Sequence, residues 1–144
     1  MSIKSEIKIK NGNYNANNPK LITLAIGVNN FRFNSAQEIT DGIVKIITLM
    51  KTEFPNSKIL FLGPLPTGID ANSERRQKYN AIHKAIAYLD EKPMVNYYNL
   101  VDLFSDENGN LKDNLYSGDG IHLKPEGYEV WGKFIREKYN ELIK

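Results

Sequence analysis

The feature that most restricts the fold of this chain is a pair of short apolar runs, Leu21 to Ile26 (LITLAI) and Ile59 to Leu62 (ILFL), each stopped by a glycine. A strand with one wet face alternates apolar and polar residues, whereas a run that is apolar on both faces belongs to a strand covered on both sides, as in a parallel sheet. Between the runs, Ile39, Ile43, Ile46, Ile47, Met50 and Phe54 recur at helical spacing, beginning after Asn34 and Ser35 and ending before Pro55. That pattern predicts an amphipathic helix of about four turns. Strand, helix, strand is the order of a parallel crossover unit.

The unit recurs downstream. A loop rich in Pro, Gly and Asn (Pro64 to Ser73) leads into a helical stretch with Tyr79, Ile82, Ile86 and Leu89 on one face, followed by Met94 to Tyr98 as a third strand. Then come Val101 to Phe104, a turn at Asp106-Glu107-Asn108-Gly109, and a loop ending in Ser117-Gly118-Asp119-Gly120-Ile121-His122. The chain closes with a helix bearing Tyr128, Trp131, Ile135, Tyr139 and Leu142, with Pro125 in its first turn. Asn11, Asn13, Asn15, Asn17 and Asn18 crowd the start around Gly12 and read as a loop, after a weak alternation of Ile3, Ile7 and Ile9 with lysines. The expected fold class is α/β: three parallel strands alternating with helices in one domain over residues 1–144, with residues 1–19 irregular.

Composition narrows the function. At 144 residues and 41% hydrophobic the chain is one ordinary domain with a sizeable core. Nineteen Lys and Arg against seventeen Asp and Glu give a net charge of +2, with the basic residues scattered, so no nucleic-acid partner is implied. Absence of cysteine excludes a disulfide framework, a Cys-based zinc site and a thiol nucleophile. No apolar run reaches membrane-spanning length and Met1 to Lys20 is too polar for a signal peptide, so the cytoplasm is the default expectation.

In an open parallel sheet the ligand crevice lies beyond the carboxyl ends of the strands, and two segments near such ends carry chemistry. The first is Gly27-Val28-Asn29-Asn30, where glycine allows a close turn and the Asn29 carboxamide offers N–H donors to a developing oxyanion. On local sequence alone a plain turn or cap is the commoner reading there. The second is Asp119-Gly120-Ile121-His122, whose spacing lets the carboxylate accept an N–H from the imidazole and leave the other ring nitrogen free as a base. In isolation a D-x-x-H is more often a surface turn. Two ligand types without a Cys or further His cluster do not close a metal site. His83, within a predicted helix between Ile82 and Ile86, reads as an ordinary structural or surface residue.

Taken together, Gly27-x-Asn29-Asn30 after a buried strand, the run Pro55 to Pro66 (PNSKILFLGPLP), and Asp119-x-x-His122-Leu123 followed by Pro125-x-Gly127-Tyr128 and Trp131 resemble the SGNH/GDSL family of serine ester hydrolases. The resemblance runs from about Asn18 to the C-terminus and is closest to the platelet-activating-factor acetylhydrolase and carbohydrate O-acetylesterase branch. It implies a flavodoxin-like, three-layer α/β/α fold acting on a small-molecule ester without metal or organic cofactor. It implies Asn29 in the oxyanion hole with Gly27 shaping its turn, His122 as general base, and Asp119 as the residue that orients His122.

One block of that family is missing. The sequence contains no Gly-Asp-Ser and no G-x-S-x-G, and none of Ser2, Ser5, Ser35, Ser57, Ser73, Ser105 and Ser117 follows a strand in the required sharp turn. The resemblance therefore implies an N-terminally truncated hydrolase fold, inactive alone, whose strand 21–26 has an unpaired apolar edge. Such an edge invites pairing, so the expected partner is a second copy of the chain or a complementing N-terminal fragment. The alternative reading is a non-catalytic ligand-binding or assembly module on the same scaffold. An intact hydrolase of another pattern lacks any nucleophile elbow to support it.

Overall fold

A computed structural model describes residues 19–25 and 34–143. Three parallel strands form one sheet in the order β1-β2-β3, with β1 at Leu21–Ala25, β2 at Lys58–Leu62 and β3 at Val95–Tyr98. The register sets Leu24 opposite Phe61 and Phe61 opposite Tyr97, so the strands end together at Ala25, Leu62 and Tyr98. Strand β2 lies in the middle and is covered twice. Ile59 and Phe61 point into one core with Leu24 and Val95, while Leu60 and Leu62 point into a second core with Phe104, Leu115 and Leu123. That is the physical reason ILFL is apolar at every position.

The two helices that connect the strands cover the same face. Helix α1 (Ala36–Glu53) begins in a capping box, with Ser35 Oγ accepting from the Glu38 N–H at 3.1 Å and Glu38 Oε1 accepting from the Ser35 N–H at 3.1 Å. It buries Ile39, Ile43, Ile46, Ile47 and Met50 against the sheet. Helix α2 (Glu74–Ile86), capped by Ser73, adds Tyr79, Ile82 and Ile86 to that core. The sequence pattern predicts one face running through Leu89. The α-helix instead ends at Ile86 and tightens into a 3-10 segment, Ala87–Glu91, which still delivers Leu89 to the core. The Asp90 carboxylate then accepts from the Tyr97 N–H at 3.0 Å and ties this segment to β3.

The opposite face carries a one-turn helix, α3 (Val101–Phe104), and the closing helix α4 (Pro125–Leu142), which has proline in its first turn as expected. Val130, Trp131, Phe134, Ile135 and Leu142 pack against the second core. Tyr128 and Tyr139, expected on the apolar face, are exposed. Lys138 takes the inner position, with its ammonium 5.1 Å from the Tyr98 ring centroid and 5.4 Å from that of Phe134, so its stem rather than Tyr139 covers the sheet there. The result is the expected three-layer α/β/α arrangement. Among the described residues β1 is an edge strand: it pairs with β2 alone, with Leu24 buried and Thr23 and Ala25 exposed.

Candidate active site

The Asp119–His122 turn is a loop held closed by its own arms. Buried Tyr116 and Leu123 pair as an antiparallel bridge, the Ser117 N–H donates to the His122 carbonyl at 2.9 Å, and the Lys124 N–H donates to the Leu115 carbonyl at 2.8 Å. Within this clasp the Asp119 carboxylate folds back on the backbone. Its Oδ1 accepts from the Ile121 N–H at 2.8 Å, from the His122 N–H at 3.0 Å and from the Ser117 hydroxyl at 2.5 Å. Its Oδ2 lies 2.5 Å from His122 Nδ1. The predicted contact between this carboxylate and this imidazole is therefore present. An ionised carboxylate only accepts, so Nδ1 carries the hydrogen and Nε2 is the nitrogen left free.

Asp119 is held well below the usual carboxylate range, first by the Ser117 hydroxyl, then by the His122 ring, then by the His122 and Ile121 N–H groups. Its side chain is 44% exposed and that of His122 is 75% exposed, so hydrogen bonds rather than burial keep it ionised. The free Nε2 belongs to a ring that stands at the surface, open to solvent.

The turn is placed by the loop that leaves β2. The Gly68 N–H donates to the Gly120 carbonyl at 2.9 Å, and the Tyr116 hydroxyl donates to the Pro66 carbonyl at 2.6 Å. Gly120 has φ +65, and a Cβ there would meet Ile69 Cγ1 at 2.7 Å, so glycine is required both by conformation and by the approach of Ile69. The β2 loop is itself organised by Arg76 of α2, which is 2% exposed. Its guanidinium donates to the carbonyls of Thr67 (3.4 Å), Gly68 (3.2 Å) and Gly109 (2.5 Å). The dyad thus sits beyond the carboxyl end of the central strand, where a parallel sheet places its ligand crevice. A cavity of about 190 Å³ adjoins it, bounded by Ile69, Tyr116 and Lys124 and reaching Ser117 and Gly118.

Gly27 and Asn29 fall outside the described residues. His83 is described, and it is structural. It is 3% exposed, packs at a tilt against Tyr79 with ring centroids 4.2 Å apart, and sets Nδ1 against the Tyr97 hydroxyl and Nε2 3.4 Å from the Pro64 carbonyl. Burial pushes it down to about 4. Among the described serines, Ser35 and Ser73 cap helices, Ser57 donates to the Pro19 carbonyl and Ser117 serves Asp119. Ser105 Oγ is buried without a partner among the described residues. None of these hydroxyls is bonded to a histidine. Arg76 and the bond from Ser117 to Asp119 were not anticipated by sequence reasoning. Arg76 did carry a signal, since it shares the α2 face of Tyr79 and His83 at a spacing of three and seven residues.

A sequence model of the GDSL-like lipase/acylhydrolase family matches residues 8–130. The chain belongs to that family. This GDSL-like chain is 29% identical over 137 residues to the platelet-activating factor acetylhydrolase IB subunit alpha2 of Gallus gallus, covering 94% of the chain and 58% of the relative. Against the Mus musculus subunit of the same name the identity is 30% over 142 residues, with the same two coverages. The chain thus spans 58% of the length of these curated relatives. In three dimensions it is similar to a GDSL-like lipase from Bacteroides thetaiotaomicron, with TM-score 0.69, 15% identity, and coverage of 85% of this chain and 63% of that one. A peptidoglycan O-acetylesterase matches with TM-score 0.55 and 14% identity over 86% of this chain and 38% of the other. These likenesses bear out the expected family and the three-layer fold.

Proposed function

We propose that this GDSL-family chain supplies the acid, base and oxyanion portion of a serine ester hydrolase acting on acyl or acetyl esters, and that by itself it turns over little or no ester. The observation that carries the reading is the 2.5 Å contact between Asp119 Oδ2 and His122 Nδ1 in a turn beyond the carboxyl end of β2. His122 Nε2 accepts the proton of a serine hydroxyl as that oxygen attacks the ester carbonyl. The Asn29 carboxamide, with Gly27 shaping its turn, donates to the resulting oxyanion. Collapse expels the alcohol, which takes the proton from His122, and water then cleaves the acyl-enzyme with His122 again as base. Asp119 keeps the ring oriented and stabilises the imidazolium in both halves.

The serine is the part this sequence does not contain in Gly-Asp-Ser form. A segment bearing it would add beside the edge of β1. Co-expression with the Gly-Asp-Ser-bearing N-terminal segment of a relative, assayed with p-nitrophenyl acetate at neutral pH, tests the reading. Hydrolysis should appear in the mixture, fall by about three orders of magnitude or more in His122→Ala, and be near background for the chain alone. Turnover that survives His122→Ala would refute the base. A complex that forms stably, binds ester and never hydrolyses it would favour a non-catalytic binding module.

A further inference from the structure

We propose that Ser117 is a positioning residue of the Asp119–His122 pair: through its bond to Asp119 it holds His122 in the Nδ1–H tautomer, the form in which Nε2 is the base. The inference rests on reading that pair as the base and its orienting acid.

Asp119 Oδ1 takes three donors, and they do not come from the same side of the loop. The two N–H groups belong to Ile121 and His122, on the outgoing arm, whereas the 2.5 Å hydroxyl contact comes from Ser117, on the incoming arm. Among the described residues it is the one bond that ties this carboxylate across the loop. Ser117 arrives there already fixed, because its N–H donates to the His122 carbonyl at 2.9 Å and its carbonyl accepts from the Gly120 N–H at 3.1 Å. The hydroxyl is therefore delivered by the same clasp that carries the imidazole.

An exposed carboxylate with two donors on one oxygen can turn about its Cβ–Cγ bond and trade its imidazole contact for water. A third donor from the opposite arm resists that rotation and keeps Oδ2 on Nδ1. The consequence is chemical, because neutral histidine in water prefers the Nε2–H tautomer, which has no lone pair where the base is needed. Holding the minor tautomer requires a fixed acceptor at Nδ1. The geometry also separates Ser117 from a nucleophile's part: its hydroxyl is spent on the acid's far oxygen, away from the free ring nitrogen.

The test reads the ring nitrogens and needs no turnover. The chain has two histidines, so the 15N shifts of His122 in the intact chain are measured with only His83 beside them, at a pH where the ring is neutral. The parent should show mainly Nδ1–H. Ser117→Ala, and Ser117→Cys as a second removal of the hydroxyl should the first not fold, should each raise the Nε2–H population severalfold, while Ser117→Thr retains the parent pattern. A parent already in the Nε2–H form would overturn the reading of the pair, and this proposal with it. A parent in the Nδ1–H form whose shifts are unmoved by loss of the hydroxyl would overturn the role of Ser117 alone.

Discussion

Two histidines make up the whole imidazole content of this chain, and they sit in opposite surroundings. His122 is exposed with a carboxylate on one nitrogen. His83 is enclosed by Tyr79, Tyr97 and the Pro64 carbonyl, and a Cβ on Gly63 would lie 2.2 Å from its Cε1. Burial disfavours its charged form and takes it from the ordinary 6.5 to about 4. Its stabilising effect is accordingly complete above pH 6.5. It is lost as pH falls toward 4, because the unfolded chain binds a proton there that the folded chain refuses. The span is worth up to about 3 kcal/mol. Urea denaturation at pH 7 and pH 4 should show this loss in the parent and a smaller one in His83→Gln, the acidic groups titrating alike in both. Equal losses would remove His83 from the acid sensitivity.

At the scale of elements, α2 does two jobs with one face. Tyr79, Ile82 and Ile86 build the core, and Arg76 reaches past them to gather the carbonyls of Thr67, Gly68 and Gly109. Arg76→Met keeps the length of the stem and leaves the buried Thr67 and Gly68 carbonyls and the half-buried Gly109 carbonyl without this donor. Relief of the buried charge offsets part of the cost, so a net loss of about 2–4 kcal/mol is expected, read as a lower urea midpoint at unchanged slope. A midpoint equal to that of the parent would mean that water satisfies the loop as well as the guanidinium does. This helix also marks where the sequence stopped being legible. Apolar periodicity placed β1, β2, β3 and the long helices, because those residues are chosen by burial alone. An arginine on an apolar face reads as solvated, and only the distant glycine and threonine carbonyls make it an interior residue. Tyr128 and Tyr139 err in the opposite sense: their apolar rings match the helical spacing, but the inner line of α4 runs through Val130, Phe134 and the stem of Lys138. Asp119 and His122 were readable because three residues of spacing permit their contact and the residues that follow resemble the family's block, whereas the anchoring of their turn to the β2 loop depends on contacts about fifty residues apart, such as Tyr116 to Pro66.

For the molecule as a whole, the consequential feature is the asymmetry of the sheet. Strand β2 is paired on both sides and covered on both faces, while β1 pairs with β2 alone among the described residues. A parallel strand bonds its neighbour through every second residue, so half the amides of an edge strand point away from the sheet. Hydrogen exchange should accordingly divide β1: slow amides alternating with fast ones, beside a β2 that is slow throughout. Adding the Gly-Asp-Ser-bearing segment should slow the fast set in β1 and leave β2 as it was, and that protection should appear at the same concentrations at which ester hydrolysis appears. Concentration-dependent slowing in the chain alone, matched by a dimer in sedimentation, would instead assign the edge to a second copy. Amides of β1 that are all slow in a dilute monomer would mean that the chain covers this edge itself, and the serine-bearing segment would then have to enter elsewhere.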